Sequence, residues 1–247
     1  MFIKTTEEIE ILKEGGKILA QIMKKLKDRV QPGISTEILE NLAQEFILKF
    51  KAKPSFLGFE NYPKVLCASV NNEIVHALPS KEKILKKGDI ISLDLGLLWK
   101  GYHADMAITI PVGKIDPETS RLIRITKKAL KRGIKKAKVG NTLGDIGNTI
   151  ERCIEGQKFS VIRQLCGHGI GKELHEEPKI LNHGKRGKGE KLKEGMVFCI
   201  EPMAAMGKGK IKKSKDGYGW ETKDGSLSAH FEHTIVITEK GAEILTI

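Results

Sequence analysis

The feature that most limits how this chain can fold is an aspartate in the middle of an apolar run. Residues 91–99 read ISLDLGLLW, a stretch suited to a buried strand. Asp94 interrupts it. Strands disfavour Asp, and a buried carboxylate has to be paired, hydrogen-bonded or bound to a metal. Lys100-Gly101 follows, and a second strand-like run at 102–112 carries Asp105. As a hairpin closed by a two-residue Lys100-Gly101 turn, this segment sets Asp94 opposite Ala107, with Asp105 two residues away on the same face. Two carboxylates on one buried face repel each other, and a divalent cation resolves the repulsion.

The second half of the chain offers matching groups. Glu201 ends the apolar run MVFCIEP, and Glu232 precedes the β-branched run in LSAHFEHTIVIT. His168 sits in Gly167-His168-Gly169-Ile170-Gly171, where flanking glycines let the backbone approach closely and aim the ring. Taken singly, each has a plainer account. The aspartates could end strands, the glutamate before Pro202 could cap one, and the glycine run could turn or hold a phosphate. Taken together, Asp94, Asp105, His168, Glu201 and Glu232 describe a carboxylate-rich dinuclear centre. One His among carboxylates suits Fe(II), Mn, Co or Zn.

The elements repeat. Residues 7–30 carry apolar residues at helical spacing and stop at Gln31-Pro32-Gly33. Ser35 or Thr36 then caps a second helix. Strands follow at 65–70 and 74–75, before the hairpin. Asp116-Pro117 opens a third helix reaching about residue 138. Thr142 and Asp145 form a capping box for a fourth, which ends at Glu155. Strands are expected near 160–163, 196–201, 227–238 and 243–246. Two helices followed by strands, twice over, predict an α/β (α+β) chain of two similar halves sharing one central antiparallel sheet.

Composition narrows the class. With 40% hydrophobic and 30% charged residues, a chain of 247 residues is ordinary globular material rather than disordered. No apolar run approaches a membrane span, and the charged, amphipathic start does not read as a signal peptide. Cys67, Cys153, Cys166 and Cys199 are scattered without chelating spacing, which predicts free thiols in the cytosol and no zinc site built on them. The net charge of +12 gathers in runs at 24–27, 81–87, 127–138, 185–193 and 208–215. These suit either a lysine-rich solvated surface or transient contact with the ribosome. Scarce Arg and the lack of an aromatic RNA-binding motif favour the solvated surface and give no sign of specific nucleic-acid recognition.

At these residues the chain resembles the bacterial-type (type I) methionine aminopeptidases. The matching segments are YPK at 62–64, SVNNEIVHALP at 69–79, the run from Asp94 to Asp105, CGHGIGKELHEEP at 166–178, LKEGMVFCIEP at 192–202 and TKDGSLSAHFEHTIVIT at 222–238. The resemblance implies a pita-bread fold with a pseudo-twofold axis, a single catalytic domain over 1–247, and removal of the initiator Met from nascent chains whose second residue is small. It implies that Asp94 binds one of two divalent ions, that Asp105 and Glu232 bridge them, and that His168 and Glu201 complete the other. Glu201 would also carry the proton from the attacking water to the departing amine. His76 would contact substrate, and His175 would stabilise the scissile carbonyl. Phe56, Phe59, Tyr62, Cys67, Leu174 and Trp220 would line the methionine pocket, with Leu174 where the family commonly has Phe. Asn71 and Ser228 match a monovalent-cation site. His103, His183, His230 and His233 read as ordinary histidines, except that His230 or His233, which flank Glu232, is a candidate to support it.

The expected protein is a cytosolic monomer with no membrane attachment. Two alternatives share the fold. An X-Pro dipeptidase would use the same ligands but usually carries an additional N-terminal domain, and a non-catalytic binding module would have lost ligands. The segment between Glu201 and Glu232 is too short for the helical insert of type II enzymes, and the chain starts without the N-terminal zinc extension of many eukaryotic type I members. Because Phe2 is large, the protein should retain its own Met1. Intact-mass or N-terminal analysis that finds mature protein starting at Phe2 contradicts the small-second-residue rule.

Overall fold

The first helix starts where its capping chemistry places it. The Thr5 hydroxyl accepts from the Glu8 amide, and the Glu8 carboxylate accepts from the Thr5 amide. The computed structural model describes residues 3–247, so the expectation about Met1 and Phe2 lies outside the described residues. The first half comprises α1 (Thr6–Lys27), α2 (Thr36–Lys49, capped by Ser35), β1 (Lys53–Pro54), β2 (Leu66–Val70), β3 (Glu73–Val75), β4 (Ile90–Trp99) and β5 (Tyr102–Pro111). The second half repeats the order, with α3 (Pro117–Lys136) and α4 (Leu143–Glu155) first. The strands β6 (Ser160–Val161), β7 (Cys166–Gly169), β8 (Glu176–Leu181), β9 (Val197–Ile200) and β10 (Met203–Ala205) come next. The last are β11 (Ile211–Lys213), β12 (Trp220–Thr222), β13 (Ser228–His230), β14 (His233–Thr238) and β15 (Gly241–Ile244). Asp116 caps α3 with Pro117 in its first turn, and Thr142 and Asp145 form the capping box of α4.

The hairpin takes the expected register. Asp94 pairs with Ala107 and Gly96 with Asp105. Lys100 and Gly101 turn the chain at φ 47° and 87°, the positive values a two-residue hairpin turn needs. Helices α1 and α2 bury Leu19, Ile22, Leu26 and Leu39 against Leu93, Leu95, Leu97 and Ala104 of β4 and β5. In the second half, Leu122 and Ile125 of α3 and Ile150 of α4 pack on Phe198, Ile200, Ile235 and Ile237 of β9 and β14. Among the described residues no helix is long and apolar enough to cross a membrane.

The expected central sheet is divided. All pairings are antiparallel, but they form a four-stranded sheet (β1, β4, β2 and β5), a five-stranded one in the order β15-β14-β9-β7-β8, and two three-stranded sheets. The two larger sheets meet where β5 runs beside β14. There the Thr234 hydroxyl accepts from the Asp105 amide and donates to the Asp105 carbonyl, and the Glu232 amide donates to the Ala107 carbonyl. A side-chain hydroxyl stands in for a backbone partner, so the ladder stops while the contact continues.

The glycine run expected as a loop begins as strand β7. A Cβ at Gly167 would lie 2.2 Å from the Cys199 carbonyl oxygen and one at Gly169 would lie 2.6 Å from that of Glu177. These glycines admit neighbouring strands, and this brings His168 into line with β9. Helix α1 uses Gly16 in the same way, because a Cβ there would sit 2.2 Å from the Leu245 carbonyl oxygen. The obstacle is backbone, so Gly16→Ala should destabilise the protein by about 1–3 kcal/mol, the usual cost of overpacking. Chemical denaturation measures it, and an unchanged midpoint contradicts the close approach.

Candidate metal centre

Five side chains from distant strands converge at the seam between the two larger sheets. Asp94 comes from mid-β4, Asp105 from β5, His168 from β7, Glu201 from just beyond β9, and Glu232 from between β13 and β14. His168 Nε2 lies 3.8 Å from Glu201 Oε1 and 3.9 Å from Glu232 Oε1. One oxygen each from Asp94, Asp105 and Glu232 falls within 4.8 Å of the others. Glu232 also groups with Glu201 and His230, and again with His168 and Cys199. It therefore occupies the middle of the cluster, where a bridging ligand would sit.

The electrostatics favour a cation. Asp94 is 7%, Asp105 3% and Glu232 2% exposed, and Asp94 Oδ1, Asp105 Oδ1 and Glu232 Oε1 are buried without a hydrogen-bond partner. Burial pushes the carboxyls of Asp105, Glu201 and Glu232 well above the usual range, and neighbouring carboxylates push them further. Asp94 is raised by burial against an opposing pull from His230. Burial, with His175 nearby, lowers His168 to about 3, so its ring is neutral. His168 Nδ1 donates to the Gly169 carbonyl at 2.9 Å, which leaves the Nε2 lone pair facing the carboxylates. Orphaned hard oxygens plus one oriented imidazole nitrogen fit divalent ions of the Mn, Fe(II), Co and Zn kind.

The cluster forms part of the wall of a cavity of about 220 Å³. Phe56, Phe59, Tyr62, Cys67 and Leu174 line it, with Tyr218 beside them. Tyr62 is fixed by donating to the Leu66 and Ala77 carbonyls, and its ring meets Tyr218 edge-on at 5.8 Å. Trp220, expected in this wall, is not among the lining residues. It packs against Ile74 and Val75, with Lys213 over its ring. A register shift between Trp220 and Glu221 against β3 breaks the alternation there, and Tyr218 takes the place at the cavity.

His76 and His175 both line the cavity. His76 is held at φ 58°, an uncommon value for a residue with a side chain, and burial beside His175 lowers it to about 4. His175 packs edge-on to Phe59 at 4.9 Å and lies 4.2 Å from the His168 ring, centroid to centroid. The next residue, Glu176, is fixed by Lys4 at 2.7 Å in a buried ion pair, which anchors this turn to the start of the chain.

The remaining histidines separate. His103 bonds to Ser55, and His233 Nδ1 bonds to Thr246. His230 instead joins the cluster, with Nε2 3.3 Å from Glu201 Oε2. Spacing carried the signal, since His230 lies two residues before Glu232. Cys199, whose thiol is 3.4 Å from the Thr234 hydroxyl, was readable only as a buried thiol. Asn71 and Ser228 are adjacent through a bond from the Ser228 amide to the Asn71 carbonyl. The Asn71 side chain is engaged with Asp89 and the Ile90 amide, while the buried Ser228 hydroxyl has no partner.

Residues 10–239 match metallopeptidase family M24. The chain is 46% identical over 247 residues to a methionine aminopeptidase of Clostridium perfringens, covering 100% of this chain and 99% of that one. It superposes on the crystal structure of methionine aminopeptidase from Thermotoga maritima with a TM-score of 0.98 at 44% identity, covering 100% of this chain and 99% of that one. A Xaa-Pro dipeptidase from Bacillus anthracis is more distant, with a TM-score of 0.79 at 26% identity over 99% of this chain and 61% of that one.

The raised carboxyls give a pH dependence of definite sign. Above the ordinary carboxylate range the unfolded chain releases protons that the cation-free fold keeps on Asp105, Glu201 and Glu232, so their contribution to its stability falls as pH rises. A divalent cation replaces those protons. The increase in melting temperature on adding Mn²⁺ should therefore be larger at about pH 7.5 than at about pH 5. Differential scanning calorimetry decides, and an equal or smaller increase at the higher pH contradicts the clustered carboxyls.

Proposed function

We propose that this chain, which belongs to metallopeptidase family M24, removes the N-terminal methionine from newly made polypeptides whose second residue is small. The observation that carries this is that the buried carboxylate–histidine cluster and a set of aromatic and apolar side chains line one and the same cavity of about 220 Å³. Full-length likeness to methionine aminopeptidases supports it.

Each group has a role in the proposal. Asp94, Asp105, His168, Glu201 and Glu232 would hold two divalent ions, with Asp105 and Glu232 shared between them. Ions bound there would supply the charge that activates a water and polarises the peptide carbonyl. Glu201 takes the water's proton and passes it to the departing amine. His175, neutral beside the cluster, donates toward the carbonyl oxygen as negative charge builds on it. His76 contacts the substrate backbone. The unbranched thioether of methionine packs on the aromatic rings and the Cys67 thiol, contacts that suit a polarisable sulfur. With the side chain in the cavity, the free α-amine is directed at the cluster, which restricts cleavage to chain ends.

Further parts of the proposal concern setting. Residues 1–247 act as one catalytic unit, monomeric and cytosolic, on nascent N-termini, and the basic surface makes transient contact with the ribosome. Fe(II), Mn, Co or Zn fills the centre. The Asn71 carbonyl and Ser228 hydroxyl contribute to a monovalent-cation site. An X-Pro dipeptidase shares the fold, but the dipeptidase likeness is more distant than that to the methionine enzymes. A non-catalytic binding module does not account for a full set of ligands.

Chelated protein restored with divalent ion should release Met from Met-Ala-Ser and leave Ala-Pro intact. Glu201→Gln should lower the rate by roughly 10²–10⁴-fold, the usual worth of a proton carrier. Turnover of Ala-Pro with none of Met-Ala-Ser overturns the assignment.

A further inference from the structure

His230 is placed to do more than fill space. It is 1% exposed, and among the described residues its ring nitrogens have no regular hydrogen-bond partner, only the Glu201 carboxylate lying 3.3 Å from Nε2. Its backbone is clamped by a single hydroxyl. The His230 amide donates to Thr109 Oγ1 at 2.8 Å, and Thr109 Oγ1 donates to the His230 carbonyl at 2.8 Å. Ser92, on the neighbouring strand, completes the Thr109 hydroxyl's bonding at 2.8 Å. The end of β13 is thus pinned to β5 and β4, the two strands that carry Asp94 and Asp105. That clamp sets His230 Nε2 at 3.3 Å from Glu201 Oε2.

Glu201 is held at several points. Its carbonyl accepts from Asn182 Nδ2 at 3.0 Å, and the Phe231 amide donates to the carbonyl of the following Pro202. Its two carboxylate oxygens face different ways, Oε1 toward His168 Nε2 at 3.8 Å and Oε2 toward His230. We infer that His230 is a positioning residue whose Nε2–H donates to Glu201 Oε2, fixing the carboxylate so that Oε1 faces the cations. This rests on the metallopeptidase reading above and adds a sixth side chain to its centre. Groups that orient a ligand in this way typically govern metal affinity through the ligand they hold. A packing histidine would have its ring nitrogens satisfied elsewhere.

The test compares wild type with His230→Leu, which fills similar volume without a donor, and His230→Gln, whose amide N–H reaches to about the same depth. Metal-free proteins are titrated with Mn²⁺ by calorimetry, and visible spectra are recorded with Co²⁺. His230→Leu should bind Mn²⁺ about 10–100-fold more weakly and alter the Co²⁺ bands. His230→Gln should recover most of the affinity and the wild-type bands, a rescue that direct ligation through an imidazole nitrogen would not give. His230→Leu binding like wild type, or His230→Gln as weak as His230→Leu, overturns the inference. If either variant fails to fold, NMR of the metal-free wild type decides, because the His230 ring N–H should be protected from exchange and its absence overturns the assignment. Wild type that takes up no Mn²⁺ would overturn the centre itself.

Discussion

Repulsion among buried carboxylates is the constraint around which the rest is arranged. Asp94, Asp105, Glu201 and Glu232 share one desolvated space, and burial together with neighbouring carboxylates makes Asp105, Glu201 and Glu232 costly to ionise. Such a cluster is unfavourable in a cation-free protein at neutral pH and becomes favourable when divalent charge enters. The surrounding fold is packed on apolar side chains on either side of the cluster. Long β4 and β5 carry the aspartates under a layer of two helices, and β9 and β14 bring the glutamates from beneath a second pair. Stability and chemistry pull in opposite directions at this point, and the apolar packing of both halves holds the charged groups in place.

The seam between β5 and β14 explains how two similar halves make one site. A full backbone ladder would set the sheets in register along their whole length. The Thr234 hydroxyl bonds to both backbone groups of Asp105, and the Glu232 amide to the Ala107 carbonyl. Each of these seam bonds therefore involves Asp105 or Glu232, two residues of the carboxylate cluster. Closing the seam and assembling the cluster are one event.

Much of this was legible in the sequence, for reasons that differ by residue. The hairpin register could be read because the side-chain period of a strand is two and a two-residue turn fixes the pairing. Glu201 and Glu232 stood out as acids in apolar surroundings, and the helix starts announced themselves through Ser35, Asp116 and the Thr142–Asp145 box. The short strands β7 and β10 to β12 left too few residues for periodicity to register, the charges and Pro178 of β8 hide its strand character, and the glycines of β7 imitate a loop. The register shift beside Trp220 is set by β3, which is remote in sequence, so the exchange of Trp220 for Tyr218 at the cavity had no local signal. The division of the sheet depends on what the Thr234 hydroxyl bonds, and a hydroxyl in a β-branched run looks like any other.

The division of ligands between the halves also bears on how the protein matures. Asp94 and Asp105 are made early, whereas Glu232 lies between β13 and β14, near the end of the strand order. Until β14 has emerged from the ribosome and docked along β5, the hairpin has two acids and no partner set to trap an ion. In the proposed reading, loading with cation therefore waits on the docking of the second half against the first.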